Sequence, residues 1–204
     1  MNPNKKHPIR RFVGKSLLKL LGWKAIPMQH DVDKAVVLMA PHSSTWDIIV
    51  GLGVHFATDL KLNWVGKKEL FQGPMGSFFK AWGGISLDRE GTTNLVEAVI
   101  EEFSERDHFL YGLAPEGTRS KTNYWRSGFY HIAVGANVPI IFYYLDFKTK
   151  VGGCGPIIHP SGDLEKDMEI IKKFYDGISP RNPNKSGTVQ LKPNSDSQSK
   201  RANM

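Results

Sequence analysis

His42 and Asp47 stand five positions apart in the segment Pro41-His42-Ser43-Ser44-Thr45-Trp46-Asp47. An imidazole held by a carboxylate has its tautomer set by that contact and keeps its second ring nitrogen for a proton. Such a base strips a hydroxyl nucleophile, an effect of typically about 10²–10⁴ in rate. Two further segments carry charge suited to an anion. Gly84-Ile85-Ser86-Leu87-Asp88-Arg89 ends in a guanidinium, which grips phosphate with a two-pronged fork. Ala114-Pro115-Glu116-Gly117-Thr118-Arg119-Ser120 joins a glycine, where backbone N–H groups approach an anion closely, to the fixed charge of Arg119 and the acceptor Glu116. Each segment alone also reads as an ordinary turn, cap or strand-end ion pair.

The spacing constrains what must position these groups. In a continuous helix, residues five apart point about 140° from each other. His42 and Asp47 therefore meet only if His42 sits in a loop and Asp47 in the first helical turn, with Ser43, Ser44 and Thr45 supplying caps for the break. The apolar run at 35–40 predicts a buried strand just before His42. Further strands are expected at 62–66, 84–88, 109–114, 138–146 and 157–159. Helices are expected at 45–60, 74–82, 92–107, 124–135 and 164–175. Strands separated by helices predict an α/β fold, a single domain with a mostly parallel or mixed central sheet covered by helices. The charged groups of all three segments lie at or just after the end of a predicted strand, on the edge where open parallel sheets bind ligands.

The chain has 204 residues and a net charge of +7, enough length for one domain with a real core. The charge is uneven. Residues 1–24 hold seven Lys and Arg and no acid, residues 25–178 are net −4, and residues 179–204 are basic again. An acidic body argues against nucleic acid as partner, since that function needs a basic face on the domain itself. Cys154 is the single cysteine, so no internal disulfide is available. No run approaches the ~18 apolar residues of a spanning helix, and the N-terminus does not read as a signal peptide.

The division expected is a basic amphipathic helix at 1–24, a catalytic body at 25–178 and a disordered tail at 179–204, whose Ser, Asn, Pro and Lys have little to bury. Within the first part, Ile9, Phe12, Val13, Leu17 and Leu20 recur at helical spacing, flanked by Arg11, Lys15 and Lys19. Such a helix lies on an anionic membrane surface or packs its stripe on the body. Each Lys or Arg near the membrane contributes about 1 kcal/mol.

Taken in order, the segments resemble the glycerolipid acyltransferase family, over roughly residues 35–160. His42 to Asp47 looks like its His-x4-Asp block, Leu87-Asp88-Arg89 like its second block, Glu116-Gly117-Thr118-Arg119-Ser120 like its third and Val138-Pro139-Ile140 like its fourth. Lys67-Lys68-Glu69-Leu70, Gly76 and Gly128 also fit. The resemblance implies transfer of a fatty acyl group from acyl-CoA or acyl-carrier protein to a lyso-glycerophospholipid hydroxyl, with 1-acyl-glycerol-3-phosphate the favoured acceptor and phosphatidic acid the product. It makes His42 the general base and Asp47 its partner, and assigns the acceptor to Arg89, Glu116, Gly117, Thr118 and Arg119. No metal or further cofactor is implied. The expected location is peripheral, on the cytoplasmic side of the membrane. Another lyso-lipid acceptor, or a non-catalytic module binding phosphate head groups, are the alternatives. The tetrahedral oxyanion needs N–H donors, and the backbone near Gly117 or at the helix start after His42 offers two sources.

Overall fold

A computed structural model describes residues 7–29, 31–66, 68–73, 75–86, 95–117 and 121–192. The strands are β1 (Lys24–Ile26), β2 (Lys34–Met39), β3 (Leu62–Gly66), β4 (Gly84–Ser86), β5 (Phe109–Leu113), β6 (Ile140–Asp146) and β7 (Val151–Ile158). They form one seven-stranded sheet in the order β1-β7-β6-β2-β5-β3-β4. All pairs are parallel except β6 with β7, which form an antiparallel hairpin. The helices are α1 (Pro8–Leu21), α2 (Trp46–Thr58), α3 (Gly76–Ala81), α4 (Leu95–Glu105), α5 (Gly128–Gly135) and α6 (Leu164–Tyr175).

The alternation of side chains along a strand builds two cores. On β2, Val36 and Leu38 face α4, α5 and α6, packing with Val99, Phe129 and Ile171. Ala35 and Val37 face the other way, where they share a core with Leu18 of α1 and Val50 and Val54 of α2. The central strands are thus covered on both faces, which is why they read as unbroken apolar runs. Parallel pairing of β2 with β5, with Leu38 opposite Leu113, brings the loops after both strands out side by side.

The N-terminal segment is part of the body. α1 packs along α2, and Gly14 permits the approach, since a Cβ there would lie 2.4 Å from the Ala57 nitrogen. β1 then enters the sheet beside β7. The helix nevertheless leaves Ile9, Phe12, Val13 and Leu20 exposed, so only part of its apolar surface is used internally.

Two expectations need correction. The last strand begins much earlier than 157, at Val151, because Val151 to Cys154 pair with β6 despite a glycine-rich sequence with weak strand preference, and the ladder resumes at Ile157 after an irregularity. The segment from 179 is also not a uniformly disordered tail. Residues 179–192 form a strap across the body: Val189 is buried, Leu191 makes a parallel bridge to Trp125, and Trp125 N–H donates to the Gln190 carbonyl at 2.7 Å. The apolar groups Val189 and Leu191 are too few to form a core of their own and find partners on the folded body. Residues 193–204 lie outside the described residues.

Candidate active site

β2 ends at Met39 and α2 begins at Trp46, so His42 lies in the connecting loop and Asp47 in the first turn of the helix. His42 Nδ1 stands 3.4 Å from Asp47 Oδ2, with the imidazole 27% exposed and the carboxylate 3%. The carboxylate turns back over its own loop: Oδ2 accepts from the N–H groups of Ser43 and Ser44, each at 2.7 Å. Charge-assisted bonds of this length hold the turn and the anion together. Capping is divided differently from the expectation. Ser44 Oγ accepts from Trp46 N–H at 3.1 Å, whereas Thr45, the residue at the cap position, makes no side-chain cap. The tautomer that places Nδ1–H toward Asp47 leaves the lone pair on Nε2.

Glu116 joins this pair from the loop after β5. Its Oε1 accepts from the His42 N–H at 3.0 Å, and the residue is buried. Burial pushes its carboxyl above the ordinary range, against the lowering effect of the His42 hydrogen bond and ring. Gly117 follows with φ of +64°, and a Cβ there would press on the Arg126 guanidinium at 3.0 Å. The left-handed backbone and the close cation both favour glycine. Arg126, unremarkable in the sequence, is thereby an exposed cation beside the Glu116–Gly117 loop. Arg89, Thr118 and Arg119, the remaining expected acceptor ligands, lie outside the described residues.

The backbone donors proposed for an oxyanion are mostly engaged. Gly117 N–H donates to the Ala114 carbonyl at 3.0 Å, and the Asp47 and Ile48 N–H groups to the Ser44 and Thr45 carbonyls. Ser43, Ser44 and Trp46 are occupied as described. At these positions the amides build the loop that carries His42.

Beside the pair opens a cavity of about 400 Å³. His42 and Asp47 line one part, and Leu52, His55, Trp64 and Trp82 extend it along α2 and over β3. From Asp47 to His55 is eight residues of helix, roughly 12 Å at about 1.5 Å per residue. The lining is overwhelmingly apolar in its residue types, a setting suited to a hydrocarbon ligand. Nothing local in the sequence marks Leu52, Trp64 and Trp82 as site residues, because they converge only through the sheet.

A family model described as Acyltransferase matches residues 18–145. Among solved structures, the fold is similar to the crystal structure of the 1-acyl-sn-glycerophosphate (LPA) acyltransferase PlsC from Thermotoga maritima, with 16% identity, a TM-score of 0.55, and coverage of 85% of this chain and 80% of that one. A search of curated proteins finds no match. The matched span runs from the end of α1 through β6 and contains both the His42–Asp47 pair and the Glu116 loop, and the chain belongs to the acyltransferase family.

Proposed function

We propose that the protein moves a fatty acyl group from acyl-CoA or acyl-carrier protein to the free hydroxyl of a lyso-glycerophospholipid, with 1-acyl-glycerol-3-phosphate the favoured acceptor and phosphatidic acid the product. The observation that carries this reading is the His42–Asp47 pair, 3.4 Å apart, at the wall of an apolar cavity. His42 Nε2 removes the hydroxyl proton as the oxygen attacks the thioester carbonyl. The tetrahedral intermediate then collapses, the C–S bond breaks, and the thiolate leaves with the proton returned from the imidazolium. Asp47 orients the ring and offsets its charge while it is protonated. Glu116 fixes the base from the other side through the His42 N–H. The acceptor's phosphate and glycerol part fall to Arg89, Glu116, Gly117, Thr118 and Arg119. The reaction needs no enzyme nucleophile. Cys154 is buried and its thiol is pushed up to about 12 by that burial, which leaves it inert at neutral pH.

Product analysis by mass spectrometry, with purified protein offered a panel of lyso-lipids and both donor types, tests this reading. Acylated lysophosphatidate as the main product supports it. Preferential acylation of another lyso-lipid reassigns the acceptor, and no acylation of any member overturns the reaction.

The partner surface in this reading is an anionic membrane, met peripherally from the cytoplasmic side. No helix among the described residues is long and apolar enough to cross a membrane. The support is α1, whose Ile9, Phe12 and Leu20 are at least 73% exposed beside Lys15 and Lys19, an arrangement that favours shallow burial in an anionic interface. Flotation with anionic liposomes should therefore recover the full chain, and replacing Ile9, Phe12 and Leu20 together by serine should abolish recovery with the fold intact. Equal recovery of the two proteins would exclude α1 as the contact.

A further inference from the structure

We propose that Asn182, on the C-terminal strap, is a positioning residue for acyl transfer: it fixes the Ser43 peptide and, through it, the angle at which His42 meets Asp47. The inference rests on reading His42 and Asp47 as the base pair.

The backbone N–H of Asn182 donates to Ser43 Oγ at 3.2 Å, and its side-chain amide donates to the Ser43 carbonyl at 3.3 Å. Ser43 is itself fully enclosed, 1% exposed, and its own N–H donates to Asp47 Oδ2. The residue next to the base is thus held at its N–H by Asp47 and at its carbonyl by Asn182. The preceding strap residue contacts the residue before the carboxylate. The Arg181 guanidinium lies 5.8 Å from the ring centre of Trp46, the residue before Asp47, and 5.9 Å from that of Phe147. Two consecutive strap residues therefore contact the His-x4-Asp loop.

The strap has the anchorage such a role requires. At its start Phe147 N–H donates to the Ser179 carbonyl at 2.9 Å, and Ser179 N–H to Asp146 Oδ1 at 3.3 Å. At its far end Trp125 and Gln190 are joined through the backbone, and Val189 is buried. The His42–Asp47 contact cannot orient itself to the same degree. At 3.4 Å it is long, and Asp47 Oδ2 already serves two amides, so the direction of the imidazole depends on the backbone of 42–44. Without the Asn182 amide a buried carbonyl loses its partner and the loop gains freedom. A displacement of about 1 Å at a reacting group costs on the order of 10²-fold, and a partial displacement correspondingly less.

The experiment compares the full chain with Asn182→Ala, Asn182→Asp, which keeps the shape but removes the donor, and His42→Ala. Steady-state kinetics use acyl-CoA and lysophosphatidate. Thermal midpoints and the ring resonances of histidine-labelled protein are recorded alongside. Both Asn182 variants should lose kcat by about 10-fold with KM for each substrate within twofold, a thermal midpoint near that of the parent and a moved His42 ring signal. A kcat within twofold of the parent in Asn182→Ala overturns the inference, as does a loss of kcat that follows the thermal midpoint while the His42 signal stays in place. If His42→Ala is inactive and Asn182→Ala fully active, the positioning role alone fails. If His42→Ala keeps parental activity, the base assignment beneath it fails.

Discussion

Alanine at position 42 should reduce acyl transfer by about 10³-fold, measured as thiol release from acyl-CoA in the presence of lysophosphatidate. The substitution removes the imidazole assigned as base, and with 27% of its surface open the ring is reachable by an acceptor. The backbone N–H that donates to Glu116 remains, so the circular dichroism spectrum should be unchanged. Asp47→Asn should fall in the same direction. A neutral amide no longer offsets the imidazolium, and an N–H₂ turned toward the ring selects the wrong tautomer. It should also lower stability, because the carboxylate closes the turn with two short bonds to Ser43 and Ser44. Rates in His42→Ala equal to the parent would refute His42 as the base.

The second large effect concerns stability in acid. His55 lies in the last turns of α2, buried, with Nε2 3.3 Å from an Arg10 guanidinium nitrogen of α1. Burial first, and then the Arg10 charge, lower its pKa to about 4, while Asp59 pulls weakly the other way. In the folded protein the ring is neutral and accepts from Arg10. The unfolded chain, with an ordinary value of 6.5, binds the proton more readily. Between these values the unfolded state carries more protons, so stability is complete above pH 6.5 and is lost as pH falls toward 4. The full difference is on the order of 3 kcal/mol. Its structural consequence is local: a protonated His55 confronts Arg10 and loses its acceptor role, which loosens α1 from α2. Urea midpoints at pH 7 and pH 4.5 should therefore drop steeply in the parent and much less in His55→Gln, which keeps an acceptor and has no proton to gain. The same drop in both proteins would assign the acid sensitivity elsewhere.

The order of elements was legible because it rests on local patterning. The run Ala35 to Ala40, the two-sided strand around Phe142 and the helices with apolar faces at Val99 and Ile171 all declare themselves through periodicity. What periodicity cannot weigh is partnership. β1 is three residues long and exists because β7 lies beside it. The first half of β7 is glycine-rich and exists because β6 pairs with it.

The site divides along the same line. His42, Asp47 and Glu116 stand out as candidates through their types and through the resemblance, but the hold of Glu116 on the His42 N–H is not legible there, where its carboxylate reads toward Arg119 or a substrate hydroxyl. The loop break that lets His42 and Asp47 meet was deducible from the helical repeat. Spacing along a chain is a one-dimensional quantity, and a base beside its carboxylate is nearly a local feature. The hydrogen bond from the His42 amide to Glu116 spans 74 positions, and those from Asn182 to Ser43 span 139. Such contacts, and the cavity closed by Leu52, Trp64 and Trp82, are set by the parallel register of β2, β5 and β3 and by the path of the strap. By itself the sequence determined which chemical groups the protein carries and the order of its elements. The tertiary structure alone decided which distant residues hold them, because each of those contacts exists only once the strands have paired.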